Sequence, residues 1–265
     1  MKIWKNTNTL DEYITDDIIL IEDKKEVDII VVGGKSFDLN DFPNLKGIFK
    51  VGVGTDNISF DECKKRNIKV QMPSEKTKQI IYNETADFTC YCILNMLYKN
   101  KGNVSSWTKY NRRSLSTHKL LIIGQGNIGK LVKDKMKNFM SVNTFDILKN
   151  SMVELDDMIR ECDIMSLHIP LNKDTKNFID KDKLSLLNGL LINTSRGGIV
   201  NENDLYDAIK KGNINTHFDV FWKEPYDGIL KGLDGFHMSP HIASTCNEFL
   251  ESLYDDLKEF MSNIL

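Results

Sequence analysis

Short apolar, β-branched runs that stop at glycine recur along the chain. Residues 28–32 end at Gly33-Gly34, and residues 47–53 lead into Gly54-Thr55-Asp56-Asn57. Unbroken apolar runs of this length, without polar alternation, are the pattern of parallel strands buried on both faces. Residues 61–66 have helical character, residues 68–71 form a further short strand, and Pro73 stops it. The first part of the chain therefore has βαβ rhythm. Residues 85–98 are apolar almost throughout, with Asn83 and Glu84 as cap and first-turn acid, and predict a buried helix that links two halves.

After Lys99 the chain turns polar and basic as far as Arg113, and a second series begins. Strands are predicted over 119–123, 141–145, 163–167, 189–193 and 215–218, alternating with helices over 127–139, 152–161, 181–186 and 202–210. That alternation predicts an α/β fold built on a doubly wound parallel sheet. In the tail, 243–265, Phe249, Leu250, Leu253, Leu257, Phe260 and Met261 recur at helical spacing and predict one amphipathic helix.

Composition narrows the class without naming a chemistry. With 265 residues, 41% hydrophobic and 28% charged, the chain has the profile of a soluble globular protein, which excludes disordered and fibrous classes. Thirty-five Lys and Arg against 38 Asp and Glu leave a formal charge of −3, so no general excess attracts nucleic acid or anionic lipid. Apolar stretches such as Ile18-Ile19-Leu20-Ile21 are far shorter than the roughly 20 residues a membrane-spanning helix needs. The N-terminal residues lack a signal-peptide pattern, and the five cysteines, an odd number without CxxC spacing, fit neither a disulfide framework nor a zinc site. The expectation is a cytoplasmic protein with reduced thiols and no metal.

One motif does carry chemistry. Gly124-Gln125-Gly126-Asn127-Ile128-Gly129 follows a predicted strand and opens a predicted helix, the setting in which a GxGxxG set binds a dinucleotide. Its glycines allow a tight turn, close approach of the pyrophosphate, and close packing of helix on strand, while helix-terminal N–H groups receive the anion. The next predicted strand ends at Phe145-Asp146, where an acid can accept hydrogen bonds from the adenosine ribose and repel a 2′-phosphate. NAD is thereby expected over NADP, although Lys149 lies close by.

Three further segments stand downstream: Asn193-Thr194-Ser195-Arg196-Gly197-Gly198-Ile199-Val200, Asp219-Val220-Phe221-Trp222-Lys223-Glu224-Pro225, and Ser239-Pro240-His241-Ile242-Ala243-Ser244. Together they resemble the D-isomer-specific 2-hydroxyacid dehydrogenases. Two weaker matches, Val51-Gly52-Val53-Gly54-Thr55-Asp56-Asn57 and Ser166-Leu167-His168-Ile169-Pro170-Leu171, fall in the same order. The resemblance implies a discontinuous substrate domain, residues 1–90 and 243–265, with a smaller flavodoxin-like sheet. Into it an NAD-binding Rossmann domain, residues 91–242, is inserted, with the catalytic cleft between the two. It implies Arg196, Glu224 and His241 as catalytic residues, and Val53 and Gly54 as carboxylate-binding positions. It also implies cofactor contacts at His168, Ile169, Pro170, Thr194, Ser195, Asp219 and Ala243, with Asp219 on the nicotinamide carboxamide.

The residue types suit these roles. A guanidinium at Arg196 can hold a 2-keto acid's carboxylate and polarise its carbonyl. An imidazole at His241 can give a proton in reduction and take one in oxidation, and a carboxylate at Glu224 would orient it and favour its charged form. His168 is expected to support the cofactor site rather than act as a second acid/base group. Lys35 and Lys50 are expected as solvated surface lysines, and Cys90 and Cys92 as core residues. The substrate expected is a small 2-keto or 2-hydroxy acid of the glyoxylate/hydroxypyruvate, D-lactate or 3-phosphoglycerate type, handled by a homodimer joined through the cofactor domain. A second class stays open: an NAD(H)-sensing binding protein of the same fold, like the corepressors that resemble this family.

Overall fold

All four residues of Ile29–Val32 and of Gly47–Lys50 are buried, which a strand achieves only when both faces of its sheet are covered. In the computed structural model, which describes residues 1–14 and 18–264, these are central strands of the first of two compact units. That unit comprises Met1–Ile81 and Ser244–Leu265; the second is Tyr82–Ala243. The first unit's sheet contains β1 (Lys2–Lys5), β2 (Ile19–Leu20), β3 (Ile29–Val32), β4 (Gly47–Lys50) and β5 (Lys69–Gln71), all parallel, in the order β2-β1-β3-β4-β5. This is the flavodoxin-type order.

The helices α1 (Phe60–Lys65) and α2 (Glu75–Leu97) follow β4 and β5. The C-terminal helix Asn247–Ile264 buries Phe249, Leu253, Leu257 and Phe260, and Phe260 lies 6.0 Å from Phe49 of β4 between ring centroids.

The observed elements differ from the sequence expectations in definite ways. The helix expected over 85–98 begins ten residues earlier: Ser74, not Asn83, bonds its first turn through Thr77 N–H, and Asn83 and Glu84 lie mid-helix. Its opening turns are mostly polar and show no apolar stripe. The boundary between units accordingly falls inside this continuous helix at 81/82 and again at 243/244, rather than at 90/91 and 242/243. The strand expected over 47–53 stops at Lys50. The tail helix starts at Asn247 because the N–H groups of Ile242 and Ala243 donate to the Asp219 carboxylate instead of entering a helix.

The second unit carries β6 (Lys119–Ile123), α3 (Asn127–Met136), β7 (Ser141–Phe145), α4 (Met152–Glu161), β8 (Ile164–Leu167), α5 (Lys181–Leu186), β9 (Gly189–Asn193), α6 (Glu202–Lys210), β10 (Ile214–Phe218) and β11 (Phe236–Met238). Its sheet is parallel throughout, in the order β11-β10-β9-β8-β6-β7. Alternation along each strand divides the apolar residues between two cores. Leu120, Ile122, Ile164 and Ile192 pack with Ile93 of α2 and Val132 and Met136 of α3. Leu121, Ile123, Met165 and Leu191 pack with Leu155, Leu184 and Leu205 of α4, α5 and α6. The chain runs outward to β7 on one side of β6 and to β8 on the other, so the sheet reverses direction at β6, where open α/β sheets form their binding crevice.

Candidate active site

At the end of β6, Gly124 has φ of 102°, and a Cβ there would lie 2.4 Å from the His168 carbonyl oxygen. At Gly129, in the first turn of α3, a Cβ would fall 2.0 Å from the Gly124 carbonyl oxygen. Helix and turn pack closely only because neither residue has a side chain. Gly126 differs, since a Cβ there would meet no protein atom within 4 Å. No side-chain hydrogen bond caps α3 at Gly126, so its first-turn N–H groups can receive an anion without a competing carboxylate or hydroxyl at that position. These residues fit the pyrophosphate of a dinucleotide.

Around this turn the other expected residues occupy the carboxyl ends of neighbouring strands. Gln125 is half-buried and Asn127 exposed, whereas Ile128 packs its side chain against the core and offers the site only its backbone. Asp146, just past β7, is half-buried, and its Oδ1 accepts from the Leu148 N–H at 3.0 Å, which fixes the carboxylate in a short turn. His168 follows β8, donates its backbone N–H to Ile123 O at 2.7 Å, and shares a 2.8 Å hydrogen bond between Nε2 and Ser166 Oγ. Burial brings its imidazole down to about 4, so the ring is neutral. Ile169 lies against Gly124, and Pro170 O accepts from Thr175 Oγ1 at 2.6 Å.

Past β9, Thr194 is buried and meets Thr89 Oγ1 at 2.8 Å. Asn193 was not foreseen. Its Oδ1 accepts from Ser195 N–H and Oγ at 3.0 and 2.8 Å, and its Nδ2 donates to Arg196 O at 2.9 Å, so it pins the segment that carries Arg196. In the sequence Asn193 opens the motif that carries Arg196, but nothing there marks its side chain as the clamp on that segment.

Glu224 and His241 meet directly, with His241 Nδ1 2.8 Å from Glu224 Oε2. Burial pushes the Glu224 carboxyl upward, but the His241 bond and charge, the Phe221 N–H at 3.0 Å and the Arg196 charge outweigh it and hold it below the usual carboxylate value. Asp219 is fully buried, and burial raises it against the bonds from Ser239, Ile242 and Ala243 and the charge of His241. Arg196, Glu224, His241 and Asp219 thus form one electrostatically coupled group within the second unit. Val53 and Gly54 lie in the first unit, in the loop after β4. Lys35 is exposed as expected, but Lys50 is buried, with Nζ donating to Gly33 O and to Asn57 Oδ1. The expectation of a solvated lysine fails there because two inward oxygens replace water.

Burial also lowers His217 to about 4. A histidine kept neutral in the fold but titrating near 6.5 when unfolded leaves stability intact above that value. As pH falls from about 6.5 toward 4 the unfolded chain gains protons the folded chain refuses, costing up to about 1.4 kcal/mol per pH unit for each such group. Urea unfolding at pH 7, 6 and 5 is expected to show stability falling over this window, with a shallower decline in His217→Leu. Equal slopes in both proteins would contradict the assignment.

Among the described residues no cluster of His, Cys, Asp or Glu could hold a metal ion, and no helix is long and apolar enough to cross a membrane. The family profile for the D-isomer specific 2-hydroxyacid dehydrogenase NAD binding domain matches residues 95–243. Glyoxylate reductase of Thermococcus litoralis is 30% identical over 268 residues, covering 89% of this chain and 80% of that protein. Hydroxypyruvate reductase of Thermotoga maritima is 29% identical, covering 84% of this chain and 80% of that protein. The solved D-lactate dehydrogenase of Aquifex aeolicus, complexed with NAD and lactic acid, superposes with a TM-score of 0.80 at 23% identity, over 100% of this chain and 96% of that one. The chain belongs to the D-isomer-specific 2-hydroxyacid dehydrogenase family. It is an oxidoreductase that uses a nicotinamide dinucleotide.

Proposed function

We propose that this protein interconverts a small 2-keto acid and its D-2-hydroxy acid with NAD, and that glyoxylate or hydroxypyruvate is its substrate for reduction. The observation that carries the reading is the 2.8 Å His241–Glu224 pair with the Arg196 charge acting on it, in the same unit as a glycine turn that fits a pyrophosphate. The relatives quoted above, a glyoxylate and a hydroxypyruvate reductase, support the choice of acid.

A nicotinamide dinucleotide held at the Gly124–Gly129 turn would supply or accept the hydride. Arg196 holds the substrate carboxylate and polarises the carbonyl. Because His241 Nδ1 is tied to Glu224, Nε2 is the nitrogen that gives its proton to the carbonyl oxygen in reduction and recovers it in oxidation. Glu224 holds the ring's orientation and offsets the charge of the imidazolium. Thr194, Ser195, Asp219, Ala243 and the segment His168-Ile169-Pro170 would border the cofactor, and the Asp146 carboxylate would select NAD by accepting from the ribose and repelling a 2′-phosphate.

The test is NADH oxidation followed at 340 nm with glyoxylate, hydroxypyruvate, pyruvate, 2-ketobutyrate and phosphohydroxypyruvate. The expected result is turnover with the first two and at least a tenfold preference for NADH over NADPH. Tight NADH binding with no turnover on any acid would favour the sensor class instead.

The exposed segment with Val104, Trp107 and Tyr110 (83, 81 and 51% exposed) suits burial across a two-fold axis in a homodimer. Light scattering is expected to give about twice the 30.4 kDa chain mass at micromolar concentration. A value equal to one chain would remove the dimer.

A further inference from the structure

We propose that His217 is a positioning residue: through Ser239 it orients the Asp219 carboxylate, and Asp219 in turn holds the backbone turn that presents His241. The proposal rests on the reading of His241 as the proton donor.

His217 lies on β10 and is buried, with its ring nearly perpendicular to that of Phe88 of α2 at a centroid distance of 6.2 Å. Its Nε2 is 3.2 Å from Ser239 Oγ, and Ser239 Oγ is 2.6 Å from Asp219 Oδ1. A serine hydroxyl has one proton and the carboxylate has none, so that proton goes to Asp219. His217 must then donate from Nε2–H, and the hydrogen-bond network assigns its tautomer. Nδ1 is left buried with no hydrogen-bond partner among the described residues. An apolar side chain of similar size would fill this place without an unpaired nitrogen. What the imidazole adds is the donor to Ser239.

Asp219 uses both oxygens on the turn. Oδ1 also accepts from the Ile242 N–H at 3.0 Å, and Oδ2 from the Ala243 N–H at 2.9 Å. Ser239 N–H donates to Phe218 O, and His241 N–H to Ser239 O, each at 3.0 Å. His241 is thus anchored on both sides. Its φ is 56°, a left-handed conformation that a residue other than glycine holds only where its surroundings impose it. Rotation of the Asp219 carboxylate would loosen three anchors of that turn together. His217 is neutral at working pH, and its neighbour in register on β11 is His237, whose Nε2 is 2.9 Å from Lys99 Nζ. Protonation of His217 itself therefore does not interrupt the chain near neutral pH.

The experiment uses the full chain as His217→Leu, His217→Gln, Ser239→Ala and the His217→Leu/Ser239→Ala double variant. It reads kcat and KM with glyoxylate, NADH affinity by fluorescence, and histidine ring nitrogens by 15N NMR. Expected are a loss of about tenfold in kcat for His217→Leu with KM and NADH affinity within about threefold, and recovery to within about threefold of wild type in His217→Gln, whose amide can donate. The double variant should lose no more than the larger single loss, since both changes cut one chain. In the wild-type spectrum His217 should carry its proton on Nε2, and the His241 ring signals should move in His217→Leu. Wild-type kcat in His217→Leu, additive losses in the double variant, or a proton on Nδ1 would overturn the proposal. If His217→Leu does not fold, His217→Gln and Ser239→Ala decide it. If wild type reduces no keto acid, the functional reading fails, and the tautomer and the His241 shifts still decide the hydrogen-bond chain.

Discussion

Replacing His241 with alanine is expected to lower kcat for glyoxylate reduction by a factor on the order of 10² to 10⁴, the usual contribution of a positioned acid/base group. NADH binding should stay within about threefold, because the neighbouring backbone is held independently of the ring. Ile242 and Ala243 N–H groups bind Asp219, and Ser239 N–H binds Phe218 O. Since position 241 has φ of 56°, His241→Asn is the better-controlled change: asparagine tolerates left-handed backbone and leaves no imidazole. Both variants should lose kcat to a similar extent. Turnover close to wild type in either would remove His241 from the chemistry, whereas loss of NADH binding would show that the ring supports the cofactor site.

The residues named from sequence sit in short contiguous motifs: glycine spacing after a strand brought Gly124 to Gly129 into view, and the resemblance of three motifs to a known family brought Arg196, Glu224 and His241. Most strands of the second unit were legible for the same local reason, as runs buried on both faces. Contacts made by register were not. His217, Ser239 and Asp219 come together because β10 and β11 pair in parallel with His217 opposite His237, and β11 itself has one buried residue, Phe236, to mark it. The strand β1 and the short edge strand β2 beside it escaped notice because only Ile3 among their residues is buried. Lys50 was read from its side-chain type, yet the oxygens that receive its ammonium, Gly33 O and Asn57 Oδ1, reach it through the fold of the loop after β4. In each case the missing information was which distant groups a segment would meet.

Alanine at two glycines of the same turn is expected to fail in opposite ways. At Gly129 the added Cβ would meet the Gly124 carbonyl oxygen at 2.0 Å, and that oxygen belongs to backbone held by the Gly124 N–H bond to Phe145 O. Neither side can yield without displacing α3 from β6. Gly129→Ala should therefore cost roughly 1–3 kcal/mol, the range for overpacking, toward the upper end because the clash is with backbone. NADH binding should be lost with it, since the helix terminus moves. At Gly126 the backbone has φ of −73° and an added Cβ meets nothing within 4 Å. Alanine is conformationally acceptable there and should leave stability unchanged or raise it by up to about 1 kcal/mol through the unfolded state. If the space beside Gly126 belongs to the pyrophosphate, the same methyl group should weaken NADH binding at least about tenfold, or about 1.4 kcal/mol. Thermal unfolding and NADH fluorescence titration on the two variants separate the effects. A Gly126→Ala protein that is stable and binds NADH like wild type would show that the dinucleotide does not approach the chain at this turn.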